Sequence, residues 1–131
     1  MLADAAHVQG GKLYVLGGGF EAIRTRSVPA VHRSLTVAMI LEVSAQERNR
    51  DLELTIALID EDGQTMDLKA TARIRVGAQS TLPPGSPTVV PLATPFYNVK
   101  FPDAKGYSFV VAHDGSELGR LSFRVVLEAK P

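Results

Sequence analysis

Apolar and polar residues alternate along most of this chain with period two, the signature of extended segments that bury one face. From Leu35 the odd positions read Leu35, Val37, Met39, Leu41 and Val43, and the next stripe is Leu52, Leu54, Ile56 and Leu58. Met66, Leu68, Ala70, Ala72, Ile74 and Val76 then alternate with Asp67, Lys69, Thr71, Arg73 and Arg75, the cleanest half-buried strand in the sequence. Further on, Tyr107, Phe109 and Val111 share a face, as do Leu121, Phe123, Val125 and Leu127. Near the start, Leu2 to Val8 and Lys12 to Leu16 flank Gly10-Gly11, a two-residue hairpin signal. Phe20 to Arg24 is expected to continue the second of these strands beyond Gly17-Gly18-Gly19. Thr88 to Val99 contains Pro91 and Pro95, which confine it to an edge or an irregular strand.

Turn chemistry separates the stripes. Asp60-Glu61-Asp62-Gly63 and Asp114-Gly115 join strands, and Pro83-Pro84-Gly85-Ser86-Pro87 is too proline-rich for helix or ladder. No window carries an apolar period of 3.6 with a cap, so essentially no helix is expected. About eight such strands predict an all-β fold: a two-sheet antiparallel β-sandwich with Greek-key connections, immunoglobulin-like or C2-like. Neither a repeat nor a linker interrupts the pattern, so residues 1–131 are read as a single domain.

Size is compatible with that reading. A chain of 131 residues buries about two-thirds of its unfolded surface, enough core to fold without staples. With no cysteine, disulfides and thiolate chemistry are excluded, and a reducing compartment suits the composition. The N-terminus has an early Asp4 and no basic stretch, unlike a signal peptide, and no apolar run approaches a membrane span. Cytoplasmic is the expected location. Fourteen basic and fourteen acidic residues leave no net charge, which argues against nucleic acid and anionic membranes as partners.

Several segments together resemble a known family. They are Gly10-Gly11-Lys12-Leu13-Tyr14-Val15-Leu16-Gly17-Gly18-Gly19 followed by an aromatic, Leu58-Ile59-Asp60-Glu61-Asp62-Gly63, Leu82-Pro83-Pro84-Gly85, Gly106-Tyr107-Ser108-Phe109 before Asp114-Gly115, and Phe123-Arg124-Val125. In this order they resemble a family of short bacterial proteins that carry a domain of unknown function. The Gly-x-Tyr-x-Phe…Asp-Gly end is also similar to immunoglobulin-like and C2-like sandwiches. The resemblance implies the fold and brings no activity with it.

Candidate chemistry is sparse. Gly17-Gly18-Gly19 matches neither a Walker loop nor a dinucleotide loop in spacing, and reads as a hinge where a strand leaves one sheet for the other. Asp60, Asp62 and Asp103 are expected at one end of the sandwich, the weak candidates for a calcium site, with fewer carboxylates than calcium usually takes. His7, His113 and Asp114 are expected together at the opposite end, a weaker candidate set for zinc or iron. Gly115-Ser116-Glu117-Leu118-Gly119 has its serine one place away from a nucleophile elbow. Arg24, Arg26, His32 and Arg33, and again Arg48, Arg50, Arg73 and Arg75, lack the exposed aromatics of an RNA reader and read as solvated rims.

Ile40, Ile59, Val110 and Val126 lie opposite the core stripes and form the candidate interface. The sequence therefore predicts a non-catalytic binding or structural module, without cofactor, that associates with a protein partner or with itself through a sheet face or loops. The alternative is a small-ligand or calcium-binding domain that uses the acidic turns.

Overall fold

A computed structural model describes residues 1–77, 83 and 85–128. Leu82 and Pro84 of the proline-rich segment lie outside the described residues. The strands are β1 (Leu2–Gln9), β2 (Lys12–Gly18), β3 (Ala22–Thr25), β4 (Ala30–Val43), β5 (Asp51–Asp60), β6 (Thr65–Arg75), β7 (Thr88–Phe101), β8 (Gly106–His113) and β9 (Ser116–Leu127). One sheet has the order β2-β1-β4-β7 and the other β3-β9-β8-β5-β6, packed as a two-sheet sandwich. A single 3₁₀ turn, Ala45–Glu47, is the one helical element among the described residues.

The period-two stripes face inward as expected. Leu52, Leu54, Ile56 and Leu58 are buried along β5, and Leu35, Val37 and Val43 along β4. Between the sheets, Phe96, Phe101, Tyr107, Phe109 and Phe123 form a connected aromatic cluster, with ring centroids between 4.9 and 6.0 Å apart. Each ring removes on the order of 150–250 Å² from water, so these five are the largest single contributions to the buried apolar surface. The Met66 stripe of β6 is half-buried, and Met66, Leu68 and Ala70 pack on the core from the edge of their sheet. Leu127 departs from its stripe and is exposed, because β9 runs past the end of β8 before reaching it.

Three details of connectivity differ from expectation. Residues 20–24 do not prolong β2. The chain crosses to the second sheet after Gly18, and β3 pairs there with β9, Ala22 opposite Arg124. That split gives nine strands rather than eight, and it makes β3–β9 a parallel pair in an otherwise antiparallel sandwich. The glycine run is the hinge: Gly17 and Gly19 have φ of +64° and +84°, open to glycine at little cost. At Gly17 a side chain would also meet the Asp4 carboxylate.

Prolines act as expected. β7, with Pro91 and Pro95, is an edge strand that pairs with β4 from Val43 opposite Thr88 to Ala30 opposite Phe101. At the corner between β7 and β8, the Tyr107 hydroxyl donates to the Asp103 carbonyl at 2.8 Å and accepts from the Asp103 N–H at 3.3 Å. Burial of the ring raises the Tyr107 pKa.

Candidate functional site

The acidic turn is built from its backbone outward. Asp60 ends β5 opposite Tyr107, and its N–H donates to the Gln64 carbonyl while the Gly63 N–H donates to the Asp60 carbonyl. Its side chain is buried, and Oδ1 accepts from the N–H groups of Asp62 and Gln64 at 3.0 and 2.9 Å. Oδ2 faces the Lys105 ammonium at 3.0 Å, with Asp62 and Asp103 at 4.0 and 3.9 Å from the same nitrogen. The three aspartates do converge as the alternation of strands implies. What stands among them is the Lys105 ammonium.

The titration behaviour follows from this geometry. The Gln64 backbone bond, then Lys105, holds the Asp60 carboxyl below its ordinary range against the opposing effect of desolvation. The bond to Asp60 raises the Lys105 pKa in turn. Each group favours the charged form of the other. Beside them, Arg124 lies 3.6 Å from Glu61 at the rim of a shallow cleft of about 480 Å³ lined also by Gly106, Ser108 and Ser122. The two serine hydroxyls bond one another at 2.9 Å.

The histidines separate. β1 runs antiparallel to β4 from Leu2 opposite Val37, so it advances toward Ala30 and the acidic end. His7, on that strand, stacks on Tyr14 with centroids 5.2 Å apart. His113 sits at the other end of the sandwich, with Nε2 3.3 Å from Asp114 and Nδ1 3.0 Å from the Glu53 carbonyl. The expectation that His7 joins His113 and Asp114 is therefore corrected: it alternated strand direction with residues 20–24 as part of the second strand, and the separate β3 adds one reversal that turns β1 toward the acidic end. Arg73 and Arg75 face Glu53 and Asp51 across the β5–β6 ladder, at 3.2 and 3.7 Å, as rim residues would.

The candidate interface also divides. Ile40 projects from the outer face of the four-stranded sheet, 66% exposed. Ile59, Val110 and Val126 belong to the five-stranded sheet and are only half-exposed. Ile59 and Val110 are diagonal neighbours across β5 and β8. Val126 lies six residues beyond Arg120, the partner of Val110, about 20 Å further along. No single patch joins all four.

Exposed apolar side chains also lie together on the β1–β2 hairpin. Gly10 and Gly11, with φ of +59° and +72°, close a two-residue turn whose flanking pairs run Gln9–Lys12, His7–Tyr14 and Ala5–Leu16. Leu16 is 73% exposed and Tyr14 48%, and on the other face Val8 and Val15 are exposed as well. The sequence signal was present: Leu13-Tyr14-Val15-Leu16 is apolar at four successive positions, so no face of β2 is polar. Such a strand must be covered twice or left open.

The other edges of the sandwich are blunted, as natural edges are. β7 carries its prolines, β6 presents Asp67, Lys69, Arg73 and Arg75, and β3 is only four residues long. β2 has Lys12 beside the tip and no other charge.

Residues 1–126 match the sequence model of a Family of unknown function (DUF6941). The chain belongs to this family. The match takes in all the segments on which the family resemblance rests, together with the hinge, the acidic turn and the hairpin. No curated protein matches the chain, and no solved structure does. No helix among the described residues is long and apolar enough to cross a membrane.

Proposed function

We propose that this member of the DUF6941 family is a non-catalytic protein-binding module, and that the β1–β2 hairpin is its contact element. The observation that carries the reading is β2 itself, an edge strand with apolar side chains exposed on both faces and almost no charge. An edge of this composition is a template for pairing with another chain. The non-catalytic part is supported by how the shifted groups are used: Asp60 and Lys105 hold a turn, Glu117 pairs with Arg120, and Glu47 caps a short turn through Ser44. Each has a structural partner.

The finer fold reading is immunoglobulin-like. It is supported by the order β1-β4-β7 facing β9-β8-β5, and by the tyrosine at the β7–β8 corner that bonds back to Asp103. Cytoplasmic residence is proposed with it, because a chain without cysteine suits a reducing compartment.

A photoreactive residue introduced at Leu16 in the native host tests the contact element. The expected result is a discrete protein adduct at Leu16 that disappears when Tyr14→Lys is added. Irradiation that yields no adduct at Leu16 would overturn the proposal.

A further inference from the structure

We propose that Arg48 is an anion-binding residue, and that its guanidinium takes up a small oxyanion, a carboxylate or a phosphate, at the end of the sandwich opposite the acidic turn. Arg48 departs from the solvated rim that the sequence suggests for it. Its Nε and Nη2 are shut off from solvent and have no hydrogen-bond partner among the described residues. These two nitrogens share one edge of the planar group, and their N–H bonds run parallel, as the fork that receives two oxygens of one carboxylate or phosphate. The unpartnered edge is thus the edge suited to bidentate recognition.

The chain does not supply the counter-charge. All fourteen acidic side chains lie among the described residues, and none forms an ion pair with Arg48. Glu47, its neighbour in sequence, commits Oε1 to the N–H and hydroxyl of Ser44. Asp51 and Glu53 face Arg75 and Arg73 across the β5–β6 ladder. A cation held out of water without a partner is strongly unfavourable, and a bound anion relieves that cost.

The backbone beside Arg48 is tied down. The Asn49 N–H donates to the Val76 carbonyl at 2.8 Å, and Arg75 Nη2 donates to the Asn49 carbonyl at 2.9 Å. Ala45, Gln46, Asn49 and Arg50 are exposed, so the fork lies beneath a surface loop, and a change of the Arg48 rotamer opens it to an ion. A second orphaned group belongs to the same end. Thr88 begins β7 opposite Val43, the last residue of β4 before this loop. It is 2% exposed, and its hydroxyl has no partner among the described residues. That hydroxyl is the third donor of the site. The hairpin is remote, because β1 advances toward Ala30 at the other end of β4, so this site is independent of the contact element.

Thermal melts at constant ionic strength, with chloride replaced stepwise by inorganic phosphate or by acetate, test the site. The wild-type melting temperature is expected to rise and saturate, by about 5 °C at about ten times Kd. Arg48→Met should fold, because it removes an unpaired buried charge while keeping an unbranched apolar stem, and it should lose the saturable rise. Any general effect of phosphate on surface hydration acts on both proteins and cancels in their difference. Arg48→Lys keeps the charge and loses the fork, and should weaken binding about tenfold. Thr88→Val, of the same shape, should weaken it less. The Arg48 Nε–Hε resonance should shift along the same curve in a nitrogen-edited NMR titration. A response to phosphate alone assigns the ion to a phosphoryl group, and a response to acetate alone assigns it to a carboxylate. A wild-type curve that is flat or does not saturate in both salts, or equal curves for wild type and Arg48→Met, would overturn the proposal.

Discussion

Asp60 shows how one side chain can decide the local chemistry of an end of the molecule. Its Oδ1 organises the turn that follows β5, and its Oδ2 holds Lys105 from the next corner. Because the folded-state pKa of Asp60 lies below its unfolded value, its contribution to stability is complete above the ordinary carboxyl range. That contribution drains away as pH falls through the folded value. Lys105 has the opposite sign: its contribution is present below the ordinary amine value and is lost only as pH rises beyond it. Thermal melts should therefore show wild type losing its advantage over Asp60→Asn as pH falls through and below the ordinary carboxyl range. A constant difference across that range would contradict the assignment. Nearby, Tyr107→Phe removes both corner bonds and should cost about 1 kcal/mol, read as a melting temperature lower by about 4 °C.

Among the elements, the hairpin and its hinge carry the most consequence. Gly17 has a left-handed backbone and the Asp4 carboxylate over it, so Gly17→Ala should destabilise by about 1–2 kcal/mol in urea unfolding. Gly77, which has φ outside that region and no neighbour within 4 Å, is the control that should tolerate alanine. β6 and β7 illustrate the opposite treatment of an edge. Charges on one and prolines on the other prevent further pairing, while β2 keeps an uninterrupted apolar run. That contrast is why the contact is placed on β2 and not on the scattered residues Ile40, Ile59, Val110 and Val126. Period two assigned those four to the outer faces, and strand order then put them on two sheets and at different heights.

At the scale of the whole molecule, the two sheets are tied by aromatic contacts between residues distant in sequence. Phe109 meets Phe96 at 5.2 Å and Phe123 at 5.8 Å, so it links β7, β8 and β9. Phe109→Ala should cost about 3–5 kcal/mol in equilibrium unfolding, with a single transition seen by all probes. Pairings such as Leu2 with Val37 and Ala22 with Arg124 close long loops before they stabilise anything. Refolding followed by stopped-flow fluorescence should accordingly lie in the millisecond-to-second range of sandwiches.

The sequence alone determined the local layer of this structure. Alternation told Leu52, Leu54, Ile56 and Leu58 to face inward, Gly10-Gly11 and Asp114-Gly115 to turn, and Pro91 and Pro95 to stay at an edge, because each depends on torsions and side-chain direction within a few residues. Only the tertiary structure decided that β3 crosses to β9, that His7 and His113 part company, and that Lys105 stands among three aspartates. Those outcomes depend on which strands become neighbours, a choice made by packing between segments far apart in the chain. Period two fixes the face a side chain takes and carries no information about the strand beside it.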